Sequence, residues 1–170
     1  IAASLEQVEA IQNLCVKRSK QLVVYISMGF GNPYGDDYNA DVAIHWVEKL
    51  ATLGIKTIAM SDTVGIAQAE TIDYIFKQLI PAFPSLEIGA HFHASPSDWK
   101  MKLETSYGAG CRRFDSALKG IGGCPMAEDE LVGNMATENL VSWCDSHNIP
   151  LSLDREAFES AMQIANRIFL

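Results

Sequence analysis

The sequence has 170 residues, of which 48% are hydrophobic and 20% are charged. This composition excludes a chain that is mainly disordered, because such a chain lacks the apolar side chains that build a core. Lysine and arginine number 13 against 21 aspartates and glutamates, so the net charge is −8. We therefore expect neither a nucleic-acid partner nor a membrane surface as partner, since both favour a basic face. The length predicts one domain over residues 1–170.

The cysteines and the apolar runs bear on the cellular compartment. Four cysteines occur in the chain, and none forms a Cys-x-x-Cys pair. This number is well below that of a disulfide-rich protein, so we expect a reducing, cytoplasmic compartment. No apolar run approaches the ~20 residues that cross a bilayer.

Helices and strands alternate along the chain in their predicted order. A helix over 5–20 precedes a short apolar, β-branched strand over 22–26. The remaining predicted elements are a helix at 39–53, a strand at 55–60, a helix at 69–79, a strand at 86–91, a helix at 97–108, a strand at 113–116, and helices at 136–146 and 154–168.

The strand spacing predicts the fold class. Strands begin at Leu22, Ile55, Leu86 and about Arg112, which are separated by 33, 31 and 26 residues. A strand–helix repeat of ~30 residues is typical of a parallel α/β fold. A TIM-type (β/α)8 barrel uses about 31 residues per unit, so four units correspond to half of one. A small open parallel sheet fits the same spacing.

The pair His91 and His93 is the clearest candidate site. In either fold, ligands bind at the carboxyl ends of the strands, where both histidines are predicted to lie. Residues i and i+2 of a strand point to the same face, so the two imidazoles should converge and could hold a divalent metal. The alternative is a pair of exposed histidines without a ligand.

Three further positions could carry chemistry. Cys124 follows the glycine-rich segment 120–123, whose glycines predict a mobile loop with few contacts, and it could act as an acid or nucleophile or be incidental to a flexible turn. Asn134 could cap the next helix or donate its amide oxygen to a metal or substrate. Asp62 could cap a helix or orient a substrate hydroxyl. The nucleotide-binding motifs G-x-x-x-x-G-K-[ST] and G-x-G-x-x-G are both absent from the sequence.

Five motifs in order along almost the whole chain resemble those of a known family. They are Tyr-Ile-Ser at 25–27 with Gly-Asn-Pro-Tyr-Gly at 31–35, Ser-Asp-Thr-Val-Gly at 61–65, Ala-His-Phe-His at 90–93, Gly-Ile-Gly-Gly-Cys-Pro at 120–125, and Gly-Asn-Met-Ala-Thr-Glu at 133–138. Together they resemble the metal-dependent lyases and Claisen-type synthases built on (β/α) barrels, and most closely the hydroxymethylglutaryl-CoA lyases. The Gly-Gly-Cys-Pro loop favours the lyases over a related synthase or a 4-hydroxy-2-oxoacid aldolase.

The resemblance implies a fold and an activity. The fold would be the last four units of the barrel, followed by a C-terminal helix. The activity would be metal-assisted retro-Claisen cleavage of 3-hydroxy-3-methylglutaryl-CoA to acetoacetate and acetyl-CoA. The implied substrate class is an acyl-CoA or a small hydroxyacid.

The resemblance also implies roles for particular residues. His91, His93 and Asn134 would bind a divalent metal, which would be Mg²⁺ or Mn²⁺, or else Zn²⁺. Cys124 would be the acid on the loop that closes over the substrate. His91 and Asp62 would be the candidates that act on the substrate hydroxyl.

Two departures from the family pattern leave a second class of function open. Ala94 and Ser95 stand where the family usually has Asp-Thr or a similar polar pair, and the family's Arg-Asp pair, which supplies a metal carboxylate from the first strand, has no counterpart. A catalytically incomplete half-barrel or an assembly module is therefore an alternative. Four strands cannot close a barrel, and we expect apolar inner faces to drive association. The partner would be a second copy or a missing N-terminal half-barrel.

Overall fold

The computed structural model describes residues 2–36, 38–123 and 132–169. Its strands are β1 (Val23–Ile26), β2 (Thr57–Asp62), β3 (Glu87–Phe92) and β4 (Arg113–Phe114). Its helices are α1 (Ala2–Lys17), α2 (Ala40–Thr52), α3 (Ala69–Ala82), α4 (Trp99–Gly108), α5 (Thr137–Ser146) and α6 (Arg155–Ile168), and a short 3-10 turn at Leu118–Gly120 follows β4. Observed and predicted ends differ by no more than three residues.

The four strands form one parallel sheet in the order β1-β2-β3-β4. Ile58 at the centre of the sheet lies opposite Val24 of β1 and Ile88 of β3. Each pair of neighbouring strands is connected through a helix, as parallel pairing requires. The predicted α/β fold with sequential parallel strands is therefore confirmed.

Helix α2 shows how the local sequence places these elements. Asn39 precedes it, and the Asn39 side chain accepts a hydrogen bond from the Val42 N–H at 3.1 Å. This is the usual N-cap, which satisfies a backbone donor that lacks a partner inside the helix. Gly54 follows the helix at a φ of +79°, a conformation that favours glycine and ends the helix.

The hydrophobic core lies between one face of the sheet and the helices. Ile58, Met60 and Phe92 on that face are buried. They share one cluster with side chains of three helices, which are Val47 and Leu50 of α2, Ile72, Ile75, Phe76 and Leu79 of α3, and Leu103 of α4. Because the helices pack against a face of the sheet and not against its edge, the carboxyl ends of the strands remain available for a functional site.

The opposite face of the sheet is polar, which corrects the expectation of an apolar inner face. Ile58 and Met60 belong to the buried cluster that faces the helices, and Val24 and Ile26 pack against it. Because side chains alternate along a strand, the other face carries a different set. That set includes Tyr25, Thr57, Ser61, Glu87, His91 and Arg113. This face therefore lacks the continuous apolar surface that was expected to drive association, and association with a second half-barrel stays a prediction.

A search for membrane-spanning segments was negative. Among the helices of the described ranges, none is both long enough and apolar enough to cross a bilayer.

Candidate active site at the carboxyl ends of the strands

The two histidines of the His-x-His motif converge at the end of β3. His91 is in the strand and His93 follows it by one residue. Their rings are 5.5 Å apart between centroids and nearly perpendicular, at 79°. His93 is buried, whereas the His91 side chain is 30% exposed. The pair therefore lies at the carboxyl ends of the strands, with one ring buried and the other partly exposed.

A backbone carbonyl fixes the orientation of His93. Its Nδ1 atom lies 3.0 Å from the carbonyl oxygen of Val132. A carbonyl oxygen can only accept a hydrogen bond, so Nδ1 carries the proton and Nε2 holds the lone pair. This is the arrangement in which a neutral imidazole binds a metal through Nε2.

Asn134 lies beside His93, in an isolated antiparallel bridge with it. Its amide nitrogen donates to the Ile121 carbonyl at 2.9 Å, which leaves Oδ1 as an acceptor. The alternative role of Asn134 as the N-cap of the next helix is wrong, because Ala136 occupies the N-cap position of α5. An amide oxygen together with imidazole nitrogens is a suitable donor set for a divalent cation.

The glycine-rich segment 120–123 packs closely against Asn134. The Asn134 N–H donates to the Gly120 carbonyl at 3.0 Å, and Gly123 forms a bridge with Gly133. Gly122 has a φ of +97°, and a Cβ there would lie 2.8 Å from the Asn134 amide nitrogen. The expectation that these glycines have few contacts is therefore wrong, because they bring the backbone against Asn134. Cys124 lies outside the described residues, and its role stays a prediction.

Asp62 is buried, and both of its carboxylate oxygens are occupied. Oδ1 accepts from the Ala67 N–H at 3.1 Å, in the turn between β2 and α3, and Oδ2 accepts from Lys102 Nζ at 2.8 Å. Burial raises the pKa of the Asp62 carboxyl, and the nearby Lys102 ammonium partly offsets that effect. These contacts favour a structural role for Asp62 over direct contact with a substrate hydroxyl.

Lys102 of α4 is a residue of the site that sequence reasoning missed. Its side chain is 0% exposed. Its ammonium contacts two carboxylates, Asp62 at 2.8 Å and Asp98 at 2.9 Å, and two carbonyls, Gly65 at 2.9 Å and His93 at 2.8 Å. The one available signal, Asp98 four residues before Lys102, is also typical of an exposed helical ion pair.

The segment after His93, which departs from the family pattern, is anchored to the same lysine. The backbone N–H and the hydroxyl of Ser95 donate to Oδ1 of Asp98 at 2.6 and 2.7 Å. Burial alone would raise the pKa of the Asp98 carboxyl, but the hydrogen bonds from Lys102 and Ser95 outweigh it, and the pKa is lowered overall. The departure therefore produces an ordered turn next to His93.

A cavity of about 520 Å³ adjoins Asn134. Ser95, Trp99, Lys119 and Asn139 are among the residues that line it. This volume is within the range of ~300–1,000 Å³ that is usual for small-molecule sites. A ligand in this cavity would lie next to the amide of Asn134.

Acidic ligands are scarce around the two histidines. In the part of the chain that the structure describes, no group of three or more His, Cys, Asp or Glu side chains is placed to hold a metal ion. The donor set is therefore two imidazoles and one amide. Mg²⁺ prefers six oxygen ligands, so water, substrate or residues outside this set would have to complete its shell.

We expect Lys102→Met to destabilise the protein by about 3–5 kcal/mol, because it leaves the buried Asp62 carboxylate without its cation. The matched control is Lys77→Met, which removes an exposed lysine that lies 2.8 Å from Asp73 and should cost under about 1 kcal/mol. Urea unfolding measures both. Equal losses would contradict the structural role of Lys102, and Asp62→Asn should recover part of the loss.

We expect Gly122→Ala to displace the Asn134 side chain, since the added Cβ would meet its amide nitrogen. Gly35→Ala is the control, because Gly35 also has a positive φ of +74° but has no atom within 4 Å of the added Cβ. Both variants should lose roughly 1 kcal/mol of stability from backbone strain. Only the first should shift the NMR signals of the Asn134 amide, and unchanged signals would refute the contact.

Comparison with known proteins identifies the family. A family model described as HMGL-like matches residues 1–165. The chain is 30% identical to a hydroxymethylglutaryl-CoA lyase of Bacillus subtilis over 158 residues, which are 93% of this chain and 52% of that protein. It is also 30% identical to an (R)-citramalyl-CoA lyase of Chloroflexus aurantiacus, over 81% of this chain and 43% of that protein.

Solved structures agree with the sequence comparison. The crystal structure of the Bacillus subtilis HMG-CoA lyase superposes with a TM-score of 0.88 at 28% identity, over 98% of this chain and 56% of that one. An HMG-CoA lyase solved in complex with coenzyme A and 3-methylmalate gives a TM-score of 0.80 at 29% identity, over 92% of this chain and 50% of that one. The chain thus spans about half the length of the relatives it matches, and its four-stranded parallel sheet corresponds to part of their TIM barrel. On its motifs, its fold and these matches, the chain belongs to the HMGL-like family of lyases.

Proposed function

We propose that residues 1–170 form the second half of a (β/α) barrel, with a C-terminal helix, in a lyase that cleaves 3-hydroxy-3-methylglutaryl-CoA to acetoacetate and acetyl-CoA. The observation that carries this proposal is the convergence of His91 and His93 beside Asn134, with the donor atoms of His93 and Asn134 set by hydrogen bonds. The first strands of the barrel would come from the missing N-terminal half or from a second copy of the chain. The protein would act in the cytoplasm.

His91, His93 and Asn134 would hold a divalent metal. A bound Mg²⁺ or Mn²⁺ supplies a Lewis acid for the hydroxyl and carbonyl oxygens of the substrate. These ions would need a carboxylate from outside this set, whereas Zn²⁺ accepts imidazole ligands more readily. The cavity next to Asn134 would receive part of the acyl-CoA, and Lys119 in its wall would attract an anionic group of the substrate.

The three candidate residues, His91, Asp62 and Cys124, would have different roles in the reaction. In His91, Nδ1 lies near Asp115, so Nε2 remains as the ligand atom and cannot also accept a substrate proton. Asp62 would hold the loop after β2, because its oxygens are occupied by Lys102 and Ala67. The proton of the substrate hydroxyl would therefore pass to a base from the part of the barrel that residues 1–170 do not supply. Cys124 Sγ would donate the proton that converts the leaving enolate into the methyl group of acetyl-CoA.

The names of two relatives point to different acyl groups for the substrate. One relative at 30% identity is a hydroxymethylglutaryl-CoA lyase and another is an (R)-citramalyl-CoA lyase. Both thioesters should therefore be assayed as substrates, and turnover of the citramalyl thioester alone would contradict the proposed acyl group.

We expect His93→Ala to abolish binding of Mn²⁺ and cleavage of the thioester in the intact protein, because it removes the most firmly oriented ligand. The control is His45→Ala, an exposed histidine of α2 that should affect neither measurement. Mn²⁺ binding is followed by EPR and cleavage by the release of acetyl-CoA. Normal metal binding by His93→Ala would refute the site.

We expect Cys124→Ser to reduce kcat by about 10²–10⁴-fold while Mn²⁺ affinity is unchanged, since a general acid contributes that much and a hydroxyl is a weaker acid than a thiol. Cys15→Ser on α1 provides the matched control and should retain full activity. Steady-state kinetics of both variants test the role. Full activity of Cys124→Ser would exclude Cys124 as the acid.

A further inference from the structure

Asp115 lies next to His91, although it is part of neither the His-x-His motif nor the glycine-rich segment 120–123. It follows β4 directly, and its backbone N–H donates to the Ala90 carbonyl of β3 at 3.0 Å. Its Oδ2 atom is 3.4 Å from His91 Nδ1. This pairing joins the ends of two neighbouring strands at the mouth of the site.

Asp115 is itself held from two sides. The Tyr25 hydroxyl of β1 donates to Oδ2 at 2.7 Å, and Arg113 Nη1 lies 3.1 Å from Oδ1. Both oxygens are therefore engaged by the protein. A carboxylate so engaged is poorly placed to be a metal ligand, and it is well placed to act through its neighbour.

His91 needs a partner for Nδ1. That atom is buried and forms no hydrogen bond within the described ranges. Its polar neighbour is the Asp115 carboxylate, whose Oδ2 lies 3.4 Å away, in a contact that falls short of a full hydrogen bond. The ring is packed edge-to-face against Tyr25, with 5.3 Å between centroids, so it has little freedom to turn away.

We propose that Asp115 is a positioning residue that sets the tautomer of His91. The carboxylate holds the proton of the neutral imidazole on Nδ1, so the lone pair is on Nε2 and available to the metal. Carboxylates commonly orient metal-binding histidines in this way. The consequence for metal binding rests on the proposed function, but the tautomer itself does not.

The two histidines of the motif then have different orienting partners. His93 donates from Nδ1 to the neutral Val132 carbonyl, whereas His91 faces the charged Asp115. Loss of Asp115 should therefore change His91 and leave His93 unaffected. His93 serves as an internal control in any measurement on Asp115.

The test is NMR of the metal-free intact protein with ¹⁵N-labelled histidine, at about pH 8, where histidine is ordinarily neutral. Two-bond ¹H–¹⁵N spectra report which ring nitrogen carries the proton. We expect the Nδ1–H form for both His91 and His93 in the unsubstituted protein. In Asp115→Ala, His91 should shift toward the Nε2–H form while His93 does not change.

Two further variants keep the test decisive. Asp115→Asn preserves the shape of the side chain and should give a partial shift even if Asp115→Ala folds poorly. Asp73→Ala removes an exposed carboxylate of α3 and should leave both histidines unchanged. An Nε2–H form of His91 in the unsubstituted protein, or no change in Asp115→Ala, would overturn the inference.

Mn²⁺ titration separates this inference from the proposed function. Asp115→Asn should raise the Kd for Mn²⁺ by about 10–100-fold, as is usual when the orienting partner of a ligand is lost. Complete loss of binding in this variant would identify Asp115 as a ligand and overturn its positioning role. Absence of Mn²⁺ binding in the unsubstituted protein would refute the metal site, whereas the tautomer result would stand.

Discussion

The arrangement of the site depends on one buried cation, the ammonium of Lys102. A charge taken out of water is costly unless it is paired and hydrogen-bonded, and Lys102 Nζ meets this condition with four oxygen partners. The partners come from the end of β2 and the loop after it, and from the segment after β3. Lys102 therefore joins two loops of the site at one point, and it fixes the backbone of His93 through its carbonyl.

Two of the three donor side chains of the site, His93 and Asn134, are oriented by backbone contacts. The Val132 carbonyl orients the His93 ring, and the Ile121 carbonyl orients the Asn134 amide. The glycines at 120 and 122 allow these backbones to approach, since a Cβ at either position would collide with Asn134. Because these two donors are oriented before any ligand binds, less conformational entropy is lost on binding.

The two faces of the sheet carry different kinds of side chain. The face toward the helices carries the apolar side chains that hold the fold together, whereas the other face carries Tyr25, Arg113 and His91, with Asp115 at the end of β4. The polar face leads directly into the site, because Tyr25 and Arg113 hold the carboxylate that faces His91. The apolar strand residues of the core thus differ from the polar strand residues beside the histidines, and alternation along a strand makes this separation possible.

The sequence alone determined the elements, their parallel order, the family and the convergence of His91 with His93, because these follow from local periodicity and from motifs of a few residues. It left the role of Asp62 open and did not reveal Lys102 or Asp115. Those contacts join residues far apart in the chain, 40 positions for Lys102 and Asp62 and 90 for Tyr25 and Asp115. Only the tertiary structure decided them, because a charged residue in a helix or after a strand has the same local pattern whether it faces water or a buried partner.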